Sequence, residues 1–113
     1  MHELSATEQL LNLTLEHARQ ARAVRVLKIN LVLGDLSSFV AESIRFCFDI
    51  LSKGTNAENA FLSISRKPAR VRCEKCKDEF TPREMNWACP RCNGFIEEVV
   101  SGREFYVESI EVE

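Results

Sequence analysis

Residues 73–92 read Cys73-Glu-Lys-Cys76-Lys-Asp-Glu-Phe-Thr-Pro-Arg-Glu-Met-Asn-Trp-Ala-Cys89-Pro-Arg-Cys92. Two Cys-x-x-Cys pairs stand twelve residues apart. Each pair sets two thiols close together across a tight turn, and two such turns bring four sulfurs to the corners of a tetrahedron. Zn²⁺ favours that arrangement, because thiolates suit it and its filled d shell imposes no competing geometry. Segment 67–100 holds few other large apolar residues, among them Val71, Phe80, Trp87, Phe95 and Ile96. That is too little for a core of its own, so metal binding is expected to supply a principal part of the module's folding energy. Four cysteines leave no open coordination position, which disfavours catalytic zinc. Iron in the same cage is chemically possible. A thiol–disulfide enzyme would place one pair in a strand–helix context, and neither pair has it.

Outward from this module, the chain has 113 residues, enough for one domain with a small inserted module. The fifth cysteine, Cys47, stands alone. An odd count argues against a disulfide framework. The opening Met1-His2-Glu3 lacks a basic stretch followed by an apolar core, so no signal peptide is expected. No apolar run approaches the ~18–20 residues that span a bilayer. The expectation is a small soluble cytoplasmic protein that neither enters nor binds membranes.

Upstream, Leu4, Thr7, Leu11, Thr14, Leu15, Ala18 and Ala21 recur at helical spacing, with Leu10 and Leu13 widening the apolar face. Ser5-Ala-Thr-Glu8 has the pattern of a capping box, which predicts a helix from Ser5 to about residue 21. Residues 23–33 predict a strand with Leu27, Ile29, Leu31 and Leu33 on one face. A turn at Gly34-Asp-Leu-Ser-Ser38 leads to a second helical stripe of Val40, Ile44, Cys47 and Leu51, broadened by Phe48 and Ile50 and stopped by Gly54. Residues 61–65 and 105–112 predict two further strands. The fold class expected is α+β: a small mixed or antiparallel sheet with two helices packed on it, plus an inserted four-cysteine, zinc-ribbon-like module.

Charge tests the rival reading, a zinc-ribbon nucleic-acid-binding module. Residues 66–92 contain eight Arg or Lys and four Asp or Glu, a net +4, and the rest of the chain carries −6. Zn²⁺ with four thiolates contributes −2, so the loaded module is weakly basic and the remainder repels a polyanion. Solvated charge around a metal knuckle is the preferred reading, and no nucleic-acid partner is expected.

Met1-His2 is the second informative feature. The Met1 amine, the His2 amide and the His2 imidazole Nδ1 lie in sequence and can close adjacent five- and six-membered chelate rings. Deprotonated amide nitrogen favours a square plane, which Ni²⁺ and Cu²⁺ accept and Zn²⁺ does not seek. Glu3 is a candidate further donor through its amide or carboxylate. His17, the other histidine, is read as a surface residue.

Met1-His2-Glu3-Leu4-Ser5, Gly34-Asp35-Leu36-Ser37, Phe46-Cys47-Phe48-Asp49, Gly54-Thr55 with Ala57-Glu58, and the paired Cys-x-x-Cys together resemble the HypA/HybF family of nickel metallochaperones for nickel–iron hydrogenase maturation. The resemblance covers essentially the whole chain. It implies a non-enzymatic carrier. One Ni²⁺ would bind at the N-terminal region, with His2 as essential ligand, Met1 supplying its amine and Glu3 beside it. A structural Zn²⁺ would sit on Cys73, Cys76, Cys89 and Cys92. Implied partners are a nickel-binding maturation GTPase and the hydrogenase large-subunit precursor, with urease maturation proteins for some relatives. The expected state is a monomer or weak homodimer. Residues 1–66 with 101–113 would form the nickel-binding domain and 67–100 the zinc-binding module. Where several relatives carry histidine after a Cys-x-x-Cys pair, this chain has Lys77 and Asn93, so a histidine-for-cysteine exchange is not available from those positions. Ala41 stands where relatives often have proline.

Overall fold

A computed structural model describes residues 2–83 and 87–113. Met1, residues 84–86 and the side chain of His2 lie outside the described residues. In chain order the elements are α1 (His2–Gln20), β1 (Val26–Gly34), α2 (Ala41–Leu51), β2 (Phe61–Lys67), β3 (Arg70–Cys73), β4 (Glu79–Phe80), β5 (Ile96–Ser101) and β6 (Phe105–Val112). The chain divides into two compact units, Met1–Val32 with Ser38–Ser65 and Phe105–Glu113, and Leu33–Ser37 with Arg66–Glu104.

The first unit is built on a sheet of order β2-β1-β6. Val24 N–H donates to Glu113 O at 2.7 Å and Glu113 N–H to Arg25 O at 2.9 Å, which joins the start of β1 to the end of β6. These two strands are therefore antiparallel. At β2 the like ends meet: Val26 N–H donates to Asn56 O, and beyond the other end Asp35 N–H donates to Lys67 O. The β1–β2 pair is parallel, and a parallel pair needs a crossover, which α2 supplies. The sheet is thus mixed, and α1 packs on α2 and β6. Ile29 and Leu31 of β1, Ile44 and Phe48 of α2 and Leu10, Leu11 and Ala18 of α1 are buried. The fold class agrees with the sequence reading.

Three local expectations are corrected. α1 begins at His2, not Ser5. Ser5 and Glu8 are exposed inside the helix, and the acidic side chain of the first turn is Glu3, whose charge favours the positive helix end. The apolar stripes are also narrower than the sequence implies. Leu4 and Leu13 on α1, and Val40, Phe46 and Ile50 around α2, are exposed, because one sheet face and one neighbouring helix cover about a third of each helix circumference. Val24 is exposed as well, and the first strand starts at Val26. Ala41 occupies the first helical position of α2, where the fixed φ of proline would also suit. Gly54 has φ +79°, the left-handed backbone expected of a helix stop.

The second unit contains a sheet of order β4-β3-β5, both pairings antiparallel, with Val71 opposite Phe80 and Val99. This sheet is not foreseen in the sequence, since β4 has two residues and β5 carries two adjacent glutamates. The unit also takes in residues 33–37, 66 and 101–104, outside the 67–100 span read from the cysteines. Backbone hydrogen bonds explain the difference: Gly34 N–H donates to Glu104 O and Leu36 N–H to Gly102 O, each at 2.7 Å. The buried cluster is Val71, Cys73, Phe80 and Cys89, with Cys76, Ile96 and Val99 packed against it. Two of its four buried members are cysteines, while Phe95 is exposed.

Candidate metal centre

Cys73 ends β3, and the chain turns back at once. Lys77 N–H donates to Cys73 O at 3.1 Å, and Cys73 N–H to Asp78 O at 2.9 Å. The second pair repeats the turn, with Asn93 N–H donating to Cys89 O at 2.8 Å. Each turn closes through a left-handed residue, Lys77 at φ 63° and Asn93 at φ 60°. Glu74 N–H to Phe95 O, at 2.9 Å, ties the first turn to the chain just after the second.

This framework brings all four predicted sulfurs together. Every Sγ lies within 4.8 Å of the others, with Cys73 to Cys92 at 3.3 Å and Cys76 to Cys89 at 3.7 Å. Zn–S bonds of about 2.3 Å in a tetrahedron require S–S edges of about 3.8 Å. The donor set and its spacing therefore fit zinc. Sequence reasoning missed Gly94. A Cβ there would come 3.1 Å from Cys73 Sγ and 3.2 Å from Cys92 Sγ, so glycine leaves room for the sulfurs. The signal was its place two residues after Cys92.

The thiols share protons unequally. Backbone N–H of Cys76 on its sulfur, helped by the Cys92 thiol and the Lys75 N–H, brings Cys73 down to about 6 against desolvation. At Cys76 the Asp78 N–H works downward, but burial and the hydrogen bonds to Cys73, Cys89 and Cys92 outweigh it and push the thiol up to about 12. Cys92 is raised chiefly by its hydrogen bond to Cys73. Cys73 is thus the thiol disposed to ionise before Cys76 and Cys92, whose protons its sulfur shares. A divalent cation at the centre replaces those protons.

Four basic residues of this unit face carboxylates. Arg72 pairs with Glu98 and Glu79, Arg91 with Asp78, Lys77 with Glu97 at 2.5 Å, and Arg66 with Asp35 at 3.1 Å.

At the other predicted site, α1 opens at His2, Met1 is outside the described residues, and so is the His2 side chain. Glu3 is placed: its Oε2 accepts the Val40 N–H at 3.3 Å. A 350 Å³ cavity beside it is lined by Glu3, Leu4, Glu42, Ser43, Phe46 and Cys47. His17 lies exposed further along α1.

A small α+β protein with a closed four-thiolate centre belongs to the class of metal-binding proteins that do not use that metal for catalysis. The family profile described as "Hydrogenase/urease nickel incorporation, metallochaperone, hypA" matches residues 1–112. The chain belongs to this HypA family of nickel metallochaperones and hydrogenase maturation factors, which are not enzymes. It is 44% identical over 113 residues to the hydrogenase maturation factor HypA of Dehalococcoides mccartyi, covering 100% of this chain and 95% of that one. The fold is that of two solution structures, each 22% identical. The Ni metallochaperone HypA from Helicobacter pylori aligns with TM-score 0.67, over 97% of this chain and 96% of that one. A second HypA protein aligns with TM-score 0.75, over 100% and 97%. Among the described residues no helix is long and apolar enough to cross a membrane.

Proposed function

We propose that this chain carries Ni²⁺ as cargo on its N-terminus and hands it to a hydrogenase large-subunit precursor in the cytoplasm. Met1 supplies the amine, His2 its amide and imidazole, and Glu3 lies beside them. Residues 1–66 with 101–113 do the carrying. Residues 67–100 hold a structural Zn²⁺ on Cys73, Cys76, Cys89 and Cys92. A nickel-binding maturation GTPase takes part in the transfer, and urease maturation proteins are a second class of acceptor. The carrier works as a monomer or weak homodimer.

The observation that carries this reading is the start of α1 at His2. The first four N–H groups of a helix have no intrahelical acceptor, so deprotonating the His2 amide breaks no helical bond. A terminal site also lets an acceptor's ligand enter while the carrier stays folded. The thiol centre, by contrast, has no open position and is suited to hold shape.

The test is metal analysis and nickel titration of the untagged, zinc-loaded chain, followed by the visible band of square-planar Ni²⁺. One equivalent of nickel beside one retained zinc is expected, with nickel leaving when apo precursor is added. Nickel lodged among the thiols, with zinc displaced, overturns the reading.

A further inference from the structure

Val40 is the N-cap of α2, and its hydrocarbon side chain makes no capping hydrogen bond. An acceptor arrives instead from another helix, because Glu3 Oε2 of α1 takes the Val40 N–H at 3.3 Å. In a capping box that N–H is satisfied by a Glu or Gln three residues further along the same helix. Here that position is Ser43, and Glu3 fills the role from 37 residues away. Its carboxylate also meets the positive end of the α2 dipole.

We infer that Glu3 is a positioning residue for the nickel site: its carboxylate pins the first turn of α1 to the start of α2 and holds the adjoining His2 in place. Chain termini fray unless something ties them down. A chelate built from consecutive backbone and side-chain nitrogens gains affinity when the backbone is ordered before the metal arrives. The inference rests on nickel binding at the N-terminus, and it gives the Glu3 carboxylate work other than ligation.

The untagged, zinc-loaded chain is titrated with nickel, affinity is read by chelator competition and the donor set by the visible band. Amide exchange is followed across residues 40–44. Glu3→Gln keeps an acceptor oxygen and is expected to match the parent in band and affinity. Glu3→Ala is expected to keep the band but lose about tenfold in affinity, the scale of ordering one backbone residue, while the Val40 amide exchanges faster. In Glu3→Ala with Val40→Ser, the new hydroxyl caps α2 by accepting the N–H of residue 42 or 43 and slows exchange at those amides, yet the residue-40 amide still exchanges fast and nickel affinity stays low. That split separates positioning from helix stability. A band shifted in both Glu3 variants makes the carboxylate a ligand and overturns the inference, as does Glu3→Ala binding like the parent. Undiminished nickel binding by His2→Ala sinks the N-terminal reading instead, so the two failures are distinct.

Discussion

Gly34 and Gly102 pack backbone against backbone: a Cβ on Gly34 would collide with the Gly102 carbonyl and the Arg103 nitrogen. Gly102 has φ +119°, and a Cβ there would lie 2.9 Å from Ala69 Cα. Neither neighbour is a flexible side chain that could swing aside. Gly34→Ala is therefore expected to destabilise the unit that holds the cysteines by about 3 kcal/mol or more. Urea denaturation of the zinc-loaded protein measures it, and a loss within about 0.5 kcal/mol, the range of surface changes, would count against the packing.

Replacing Cys73 or Cys89 with serine should release zinc and melt β3, β4 and β5. Both thiols are buried in the cluster with Val71 and Phe80, so the substitution removes a metal ligand and part of the core together. Amides of α1 and β1 should keep most of their protection. Zinc stoichiometry and amide exchange report the two halves of this outcome, and full zinc retention in both variants contradicts the ligand assignment.

Zinc affinity should depend steeply on pH. At pH 7 Cys73, near 6, is already ionised, whereas Cys76, near 12, and the raised Cys92 still hold protons. Binding at pH 7 then expels at least two protons, so affinity falls by at least about a hundredfold for each pH unit lost. Below about 6 the slope steepens as Cys73 also takes up a proton. For the metal-free fold the signs oppose. The depressed Cys73 contributes stability above pH 9 that is lost as pH falls through about 6. The raised Cys76 contributes stability below pH 9 that is lost as pH rises through about 12. Calorimetry in buffers of different ionisation enthalpy counts the protons, and release of fewer than two at pH 7 contradicts this ordering.

His2→Ala should abolish nickel binding and leave zinc in place. Adding one residue before Met1 should shift or abolish the nickel site, because it moves the amine out of the chelate ring. Competition titration and the visible band test both variants. Nickel binding by both variants as strong as the parent's would show that the chelate lies elsewhere.

Much of this was legible in the chain. Cys73, Cys76, Cys89 and Cys92 announced their cluster because ligand spacing is a local property, written in residues that have few other uses together. Phe105–Val112 was readable because Ile110 and Val112 alternate with polar neighbours in the sequence, although Val112 is exposed. The second sheet was not readable, because Glu79-Phe80 and Ile96–Ser101 pair through backbone groups that any sequence possesses. The exposure of Leu13 and Phe46 was hidden for another reason: periodicity shows which residues share a helix face, not how wide a neighbour that face receives. Gly34, Gly102 and the bond from Val40 to Glu3 depend on distant segments meeting, which no short window records.

The left-handed turns at Lys77 and Asn93 have a consequence for how this centre tolerates change. Asparagine, histidine, aspartate and glycine bear that backbone at least strain, whereas branched residues such as valine resist it. A saturation survey scored by zinc retention should thus find intolerant positions that donate nothing to the ion. Drift at those two sites is confined to a narrow alphabet by torsion alone.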